Sequence, residues 1–372
     1  MEFIQSEADL AVVGRQLEGV ALIAADTEAA GYHRYSDRVC LLQISTRDRT
    51  FIIDTLAVPH LDALRPAFSS QESEIVFHDA DYDLRLLGRD FGVEICHLFD
   101  TKTAAQFMGE RSFGLGSLVE KYLGIKLEKK HQRADWAQRP LPDDMLAYAA
   151  EDTQHLPALR DRLREELVTM GRLKWAEEEF RITEHTRWPD TAEREAYLKI
   201  KGARDLRPRE LAALRELHRW RESAAEARDV ATFRVISNEA LLEIARHMPA
   251  DAAALESMGG LAPSILERRG PDLLAAVQRA QTIPEAELPR FPRGVRRPAP
   301  DAEFDTRAER LKAARDRAAD ALNLDRGFLL PRNQIEDIAR ANPTSLTQLA
   351  AVEGIRQWQV EAVGEEVIKA LA

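Results

Sequence analysis

The chain has 372 residues, 45% apolar and 31% charged, with 63 acidic against 52 basic side chains and a net charge of −11. That length exceeds what one core usually serves, and the composition is that of ordinary globular protein, so more than one folded domain is expected. The charge argues against a nonspecific electrostatic hold on nucleic acid, no apolar run approaches a membrane span, and Met1-Glu-Phe-Ile-Gln-Ser-Glu7 lacks the basic and apolar regions of a signal peptide.

In chain order, the pattern predicts a strand near Phe3, a helix from about Ser6 to Leu17, and strands near Ala21 to Asp26, Arg38 to Ser45 and Thr50 to Asp54. Short polar connections suit antiparallel neighbours for those three. Strands near Ile75 and Glu94 then alternate with helices, as parallel crossovers do, so the first half reads as an α/β mixed sheet flanked by helices. Cys40 and Cys96 fall far apart in apolar runs and read as buried free thiols, for which a reducing cytoplasm fits best.

Asp26 and Glu28 close the apolar run Val20 to Ala25, and two residues apart on a strand they point the same way. Glu74 to Leu87 reads as a short strand entering a helix. Asp79, Asp81 and Asp83 compete there for one role, and Leu84 and Leu87 favour Asp83. Pro142, Asp143 and Asp144 suit the first turn of a helix, on which Tyr148 and Asp152, four apart, share a face. Singly, each acid is most simply a surface carboxylate. Taken in order, with strand and helix contexts agreeing, they form a set that would repel unless cations bind. Oxygen ligands favour Mg²⁺ or Mn²⁺, while the nine His are dispersed and no Cys-x-x-Cys motif is present. Two such ions about 4 Å apart can activate water and stabilise the leaving oxygen in phosphodiester hydrolysis.

Asp26-Thr-Glu28, Asp83 with Leu84 and Leu87, and Tyr148-x-x-x-Asp152 resemble the three motifs of the DEDD exonucleases in their tyrosine-bearing branch, and more specifically the bacterial ribonuclease D family. Arg38 to Ile44, Phe99-Asp100-Thr101, Gly114 to Leu118 and Asp135-Trp136 with Arg139-Pro140-Leu141 extend the likeness along the chain. Asp79 departs from the Asn of many relatives, and Ala134 from their Ser. The resemblance implies a ribonuclease H-like catalytic domain over 1–170 that hydrolyses RNA from its 3′ end to nucleoside 5′-monophosphates. Asp26, Glu28 and Asp152 would hold the ion that activates water, with Asp26 bridging to a second ion that Asp83 helps position. Tyr148 would orient the attacking water. Trimming of tRNA precursors and other small structured RNAs is the implied role. A DNA-directed 3′ to 5′ exonuclease and a noncatalytic RNA-binding adaptor are the alternatives; no Walker A loop accompanies the motifs, and an intact acid set argues against the adaptor.

After a helical connector over 171–203, the second half is helical and repeats itself. An offset of 94 pairs Arg221 with Arg315, Ile244-Ala245-Arg246 with Ile338-Ala339-Arg340, Pro249 with Pro343, and Gly260 with Gly354. Two modules, 204–281 and 304–372, are expected, each long enough to own a core, with the Pro-rich stretch 282–303 as linker. Both resemble the helicase and ribonuclease D C-terminal (HRDC) domain, the second diverged, with Ala314 at the position of Trp220. The resemblance makes them auxiliary nucleic-acid binders. Basic and acidic residues are balanced over 204–281 and nearly so over 304–372, so a protein-contact role stands beside that one. The best basic stretch, Lys126 to Arg133 and on to Arg139, could neutralise phosphates through Lys129, Lys130, Arg133 and Arg139, or could be a solvated loop. Thr27 and His78 join these as candidate RNA contacts, and Trp136 is better placed in the core than against a base.

Overall fold

The computed structural model describes residues 1–128, 130–189, 193–292 and 301–372. They form two compact units, one built from Met1–Glu28, Val39–Trp188 and the C-terminal segment, the other from Ala29–Arg38 and the described part of Pro189–Arg297.

The first unit contains the strands β1 (Glu2–Ile4), β2 (Leu22–Ala29), β3 (Val39–Ser45), β4 (Thr50–Asp54), β5 (Glu74–Phe77) and β6 (Leu98–Asp100). They make one mixed sheet in the order β1-β4-β3-β2-β5-β6. β1 with β4, β2 with β5 and β5 with β6 pair in parallel, while β3 and β4 are antiparallel. Every residue of β3 and β5 is buried, as expected of strands covered on both faces. The helices of this half are α1 (Glu7–Leu17), α2 (Arg65–Phe68), α3 (Asp81–Phe91), α4 (Thr101–Phe107), α5 (Leu115–Leu123), α6 (Asp143–Gln154), α7 (Leu156–Thr169) and α8 (Leu173–Glu184). Ser6 caps α1 by accepting from Asp9 N–H at 3.1 Å.

Two expectations about this half change. The last strand starts at Leu98 and not near Glu94, because Cys96 N–H bonds to Phe68 O outside the sheet and His97 turns the chain through φ +54°. Cys96 is therefore only half-buried, whereas Cys40 is fully enclosed; both are free thiols. The chain from β2 to β3 is also not a short turn: with Ala29 at the end of β2 it forms a strap, Ala29–Arg38, that belongs to the second unit.

That second unit is a helical bundle of α9 (Pro208–Glu226), α10 (Thr232–Val235), α11 (Asn238–His247), α12 (Ala252–Ser257) and α13 (Pro263–Thr282). Its core includes Leu211, Leu217, Leu241, Ile244, Leu273 and Val277. The Pro-rich stretch begins as part of this bundle: Ile283, Leu288 and Phe291 pack on its core. Residues 293–300 lie outside the described residues.

The C-terminal bundle repeats the pattern as α14 (Phe304–Leu322), α15 (Arg326–Leu329), α16 (Arg332–Ala341), α17 (Leu346–Ala350) and α18 (Gln357–Leu371). The last four helices begin 94 residues after their counterparts, and so do the left-handed turns: Met248 and Asn342 share φ 46° and ψ 56°. Asp229 and Asn323 likewise take φ 46° and 52°. The expectation of a separate core is overturned for this copy. Trp358 packs edge-on against Phe107 of α4 at 4.9 Å and lies 6.1 Å from Trp175 of α8, and one continuous core joins the bundle to the sheet domain. Glu178 of α8 accepts from the N–H groups of Gln357 and Trp358 at 2.7 and 2.8 Å, capping α18 with a carboxylate. α8, the first helix of the expected connector, is therefore part of this joint.

Candidate active site

β2 is hydrogen-bonded to β5 through Ala24, and beyond that register it carries Asp26, Thr27 and Glu28 past the buried Ala24 and Ala25. On its other side lies β3. In open sheets such a strand end, where connections leave in both directions, is where ligands bind. α6 packs across β3 and β4, seated by Ser45 Oγ bonded to Thr153 Oγ1 at 2.7 Å and to Thr50 Oγ1 at 2.8 Å. Asp152 immediately precedes Thr153, so that seat fixes where its carboxyl goes.

The charges of the four acids bear on one strand end. Burial first, then Asp83, Asp152 and Glu28, push the Asp26 carboxyl well above the usual range. Burial, then Asp152 and Asp83, do the same to Glu28. Asp83 is raised to about 7, chiefly by burial and opposed by a hydrogen bond from Thr27 Oγ1. Asp152 is raised to about 7 by burial and by Glu151. The competing acids are occupied elsewhere: Asp79 pairs with Lys102 at 2.5 Å, and Asp81 with Arg85 at 2.9 Å and Thr186 at 2.7 Å. Tyr148 is buried, with its ring 5.7 Å from His131 and 6.1 Å from Trp136. Burial, then Asp152, Glu28 and Asp26, hold its phenol protonated above its ordinary range. Among the described residues no group of three or more His, Cys, Asp or Glu is arranged, as it stands, to hold a metal ion. The donor chemistry nonetheless fits a divalent cation, since the buried carboxyls of Asp26 and Glu28, raised by the neighbouring Asp83 and Asp152, are what a hard positive charge relieves.

The other candidates fare differently. Thr27 spends its hydroxyl on Asp83, so it holds a carboxylate rather than a phosphate. His78 is half-buried and bonds Thr101 Oγ1 at 2.9 Å, and burial lowers its pKa. Arg139 is engaged by the protein itself. It grips the buried Asp54 at 2.6 and 2.8 Å and three backbone carbonyls, of Cys40, Trp136 and Gln138, leaving the guanidinium no unused edge. Lys130 pairs with Asp144 at 2.6 Å on the surface, Arg133 is exposed, and Lys129 lies outside the described residues. Trp136 is buried at 2% exposure, in the core as expected.

Asp54 and Asp100 were not singled out from sequence as functional supports. Asp100 accepts from the N–H groups of Asp79, Ala80, Lys102 and Thr103 at 2.8 to 3.2 Å, which caps α4 and clamps the turn entering α3, the helix of Asp83. An Asp directly ahead of a helix was the available signal. Asp54 offered none, because its partner is 85 residues away. On the same face of β3 as Ser45, Gln43 is fully buried, and neither of its amide atoms has a hydrogen-bond partner among the described residues.

A mixed α/β sheet with four carboxyls and a tyrosine at the end of its central strands, followed by paired helical modules, defines a 3′-5′ exonuclease of the DEDD class. A 3′-5′ exonuclease domain family matches residues 1–168, and the HRDC domain family matches 210–277 and again 305–371. Ribonuclease D of Escherichia coli is 33% identical over 77% of both chains, and ribonuclease D of Nitrobacter hamburgensis is 29% identical over 99% of this chain and 94% of its own length. The crystal structure of E. coli RNase D, described as an exoribonuclease involved in structured RNA processing, superposes with a TM-score of 0.75 at 29% identity, over 99% of this chain and 98% of that one. RRP6-like 2 of Arabidopsis thaliana is 31% identical over 75% of this chain, which spans only 34% of that longer relative. The chain belongs to the ribonuclease D family of 3′-5′ exoribonucleases.

Proposed function

We propose that this protein shortens RNA one nucleotide at a time from the 3′ end, releasing nucleoside 5′-monophosphates, with two divalent ions, Mg²⁺ or Mn²⁺, held by Asp26, Glu28, Asp83 and Asp152. The observation that carries this reading is that Asp83 and Asp152 both press on the buried carboxyls of Asp26 and Glu28 and raise them, which marks concentrated negative charge around that strand end. Bound ions would supply the positive charge that acidifies water and stabilises the leaving oxygen. Asp83 is kept in place by Thr27, and its helix entry by Asp100. Tyr148 keeps its proton beside Asp152, Glu28 and Asp26, so it acts as a fixed phenol that orients the attacking water. A bond forms from that water oxygen to phosphorus, the bond to the 3′ oxygen of the preceding nucleotide breaks, and that oxygen leaves with a proton. Small structured RNAs, tRNA precursors among them, are the substrates this reading favours, and the cytoplasm is the compartment.

The test is digestion of matched 5′-labelled RNA and DNA oligonucleotides with Mg²⁺, Mn²⁺ or EDTA. A metal-dependent ladder shortening from the 3′ end on RNA is expected, and its absence in the Asp26→Asn variant with RNA binding retained. Equal shortening of DNA would make the protein a general exonuclease. No shortening of either would leave an RNA-binding adaptor.

A further inference from the structure

The helical unit carries an aromatic surface that the exonuclease chemistry does not use. Tyr32, on the strap between β2 and β3, and Phe233, on α10, are 44% and 50% exposed and lie side by side, ring centroids 5.5 Å apart and tilted by 50°. The His33 ring stands 5.2 Å from Tyr32. The guanidinium of Arg234 lies 5.4 Å from the Tyr32 ring centre and 5.9 Å from that of Phe233.

This surface is preorganised. Arg234 donates to Tyr32 O at 3.2 Å and bonds His33 Nδ1 at 3.0 Å, while Ala231 N–H reaches His33 O at 3.3 Å. Asp229 accepts from Tyr35 N–H at 3.3 Å and pairs with Arg34 at 3.4 Å. Docking of the strap already has its own apolar anchor, because Tyr35 packs on the bundle core. Tyr35, the Arg34–Asp229 pair and the bonds of Arg234 and Ala231 thus contribute to holding the strap, while Tyr32 and Phe233 keep about half their surface in water, beside a cation. Exposed rings next to a guanidinium are what single-stranded nucleic acid stacks on, independently of sequence. A chain of net charge −11 needs such local contacts, since its overall field repels a polyanion. Tyr32 also follows Glu28 of the acid set by only four residues in the chain.

We infer that Tyr32, Phe233 and Arg234 form a stacking site for unpaired bases of the RNA substrate upstream of its 3′ terminus. The inference rests on the exoribonuclease reading above. It is tested on the full-length chain with Tyr32→Ala and Phe233→Ala, using a 5′-labelled 12-nucleotide single-stranded RNA and the dinucleotide UpU. Stacking losses of this kind are about 5-fold or more per base, so each substitution should raise KM for the 12-mer by about that factor, with kcat and UpU hydrolysis unchanged. Tyr32→Phe and Phe233→Trp should retain the wild-type KM. 2-Aminopurine placed within the 12-mer should be quenched by the wild type and less so by the alanine variants. An unchanged KM on the 12-mer, or equal losses on the 12-mer and UpU, would overturn the site. If the wild type shortens no RNA, the exoribonuclease reading fails separately, and anisotropy of the labelled 12-mer in EDTA then decides the site: weaker binding by both alanine variants sustains it, and equal binding ends it.

Discussion

Asp83 and Asp152 would both be charged in water at neutral pH, yet in the fold each is held near neutrality to about pH 7. A carboxyl that ionises near 4 in the unfolded chain and near 7 in the native state contributes stability that is fully present below about pH 4 and lost as the pH rises through 7. In EDTA, Asp152→Asn should therefore melt a few degrees above the wild type at pH 8, with the gap shrinking toward pH 5, and Mg²⁺ should raise the wild-type Tm mainly at the higher pH; exonuclease activity should be absent from the variant throughout. A gap that does not change with pH would show that charge at Asp152 carries no such cost. Arg139 gives the opposite kind of prediction. Removing it leaves Asp54, 1% exposed, as a buried carboxylate without its cation, so Arg139→Ala should cost about 3 kcal/mol or more in denaturant unfolding. RNA affinity of the folded fraction should stay close to wild type. Affinity lost at unchanged stability would return Arg139 to the RNA contacts.

At the scale of elements, the joint between the sheet domain and the C-terminal bundle depends on close backbone approach. Gly109 follows α4 at φ +80°, and a Cβ there would stand 2.0 Å from Asn323 O, at the end of α14. Gly124 closes α5 at φ +71° with nothing within 4 Å of a Cβ. Gly109→Ala and Gly124→Ala both incur left-handed strain of about 1 kcal/mol, but only the first must also push two elements apart. Its Tm should fall clearly further, as calorimetry of the two variants would show; equal losses would mean the joint yields without cost. Arg172 reinforces the same joint by donating to Phe107 O and Leu322 O, both at 2.7 Å.

For the whole molecule, the two helical modules are equivalent in sequence pattern and unequal in attachment. The first has its own core with the β2 to β3 strap, and the second completes the core of the sheet domain. Ending the chain after residue 303 would uncover Phe107 and Trp175, which pack on Trp358. The truncated protein should aggregate or elute as a polydisperse species on size-exclusion chromatography. A monodisperse truncation with wild-type Tm would show that the second module is an appendage.

The α/β class, the position of α1 and the duplication were legible from residues alone, because each rests on local rules: alternation along a strand, the spacing of a helix face, and self-similarity at fixed spacing. Asp26 with Glu28, and Tyr148 with Asp152, are such local pairs. What tertiary structure decided was everything that joins distant residues. It distinguished Asp83 from Asp79 and Asp81 by their partners, turned Arg139 from a phosphate candidate into the counterion of Asp54, and attached one HRDC module to the catalytic core while the other kept its own. Local spacing constrains which side chains share a face, whereas the partner of a buried charge or an exposed ring is chosen by packing across the whole chain.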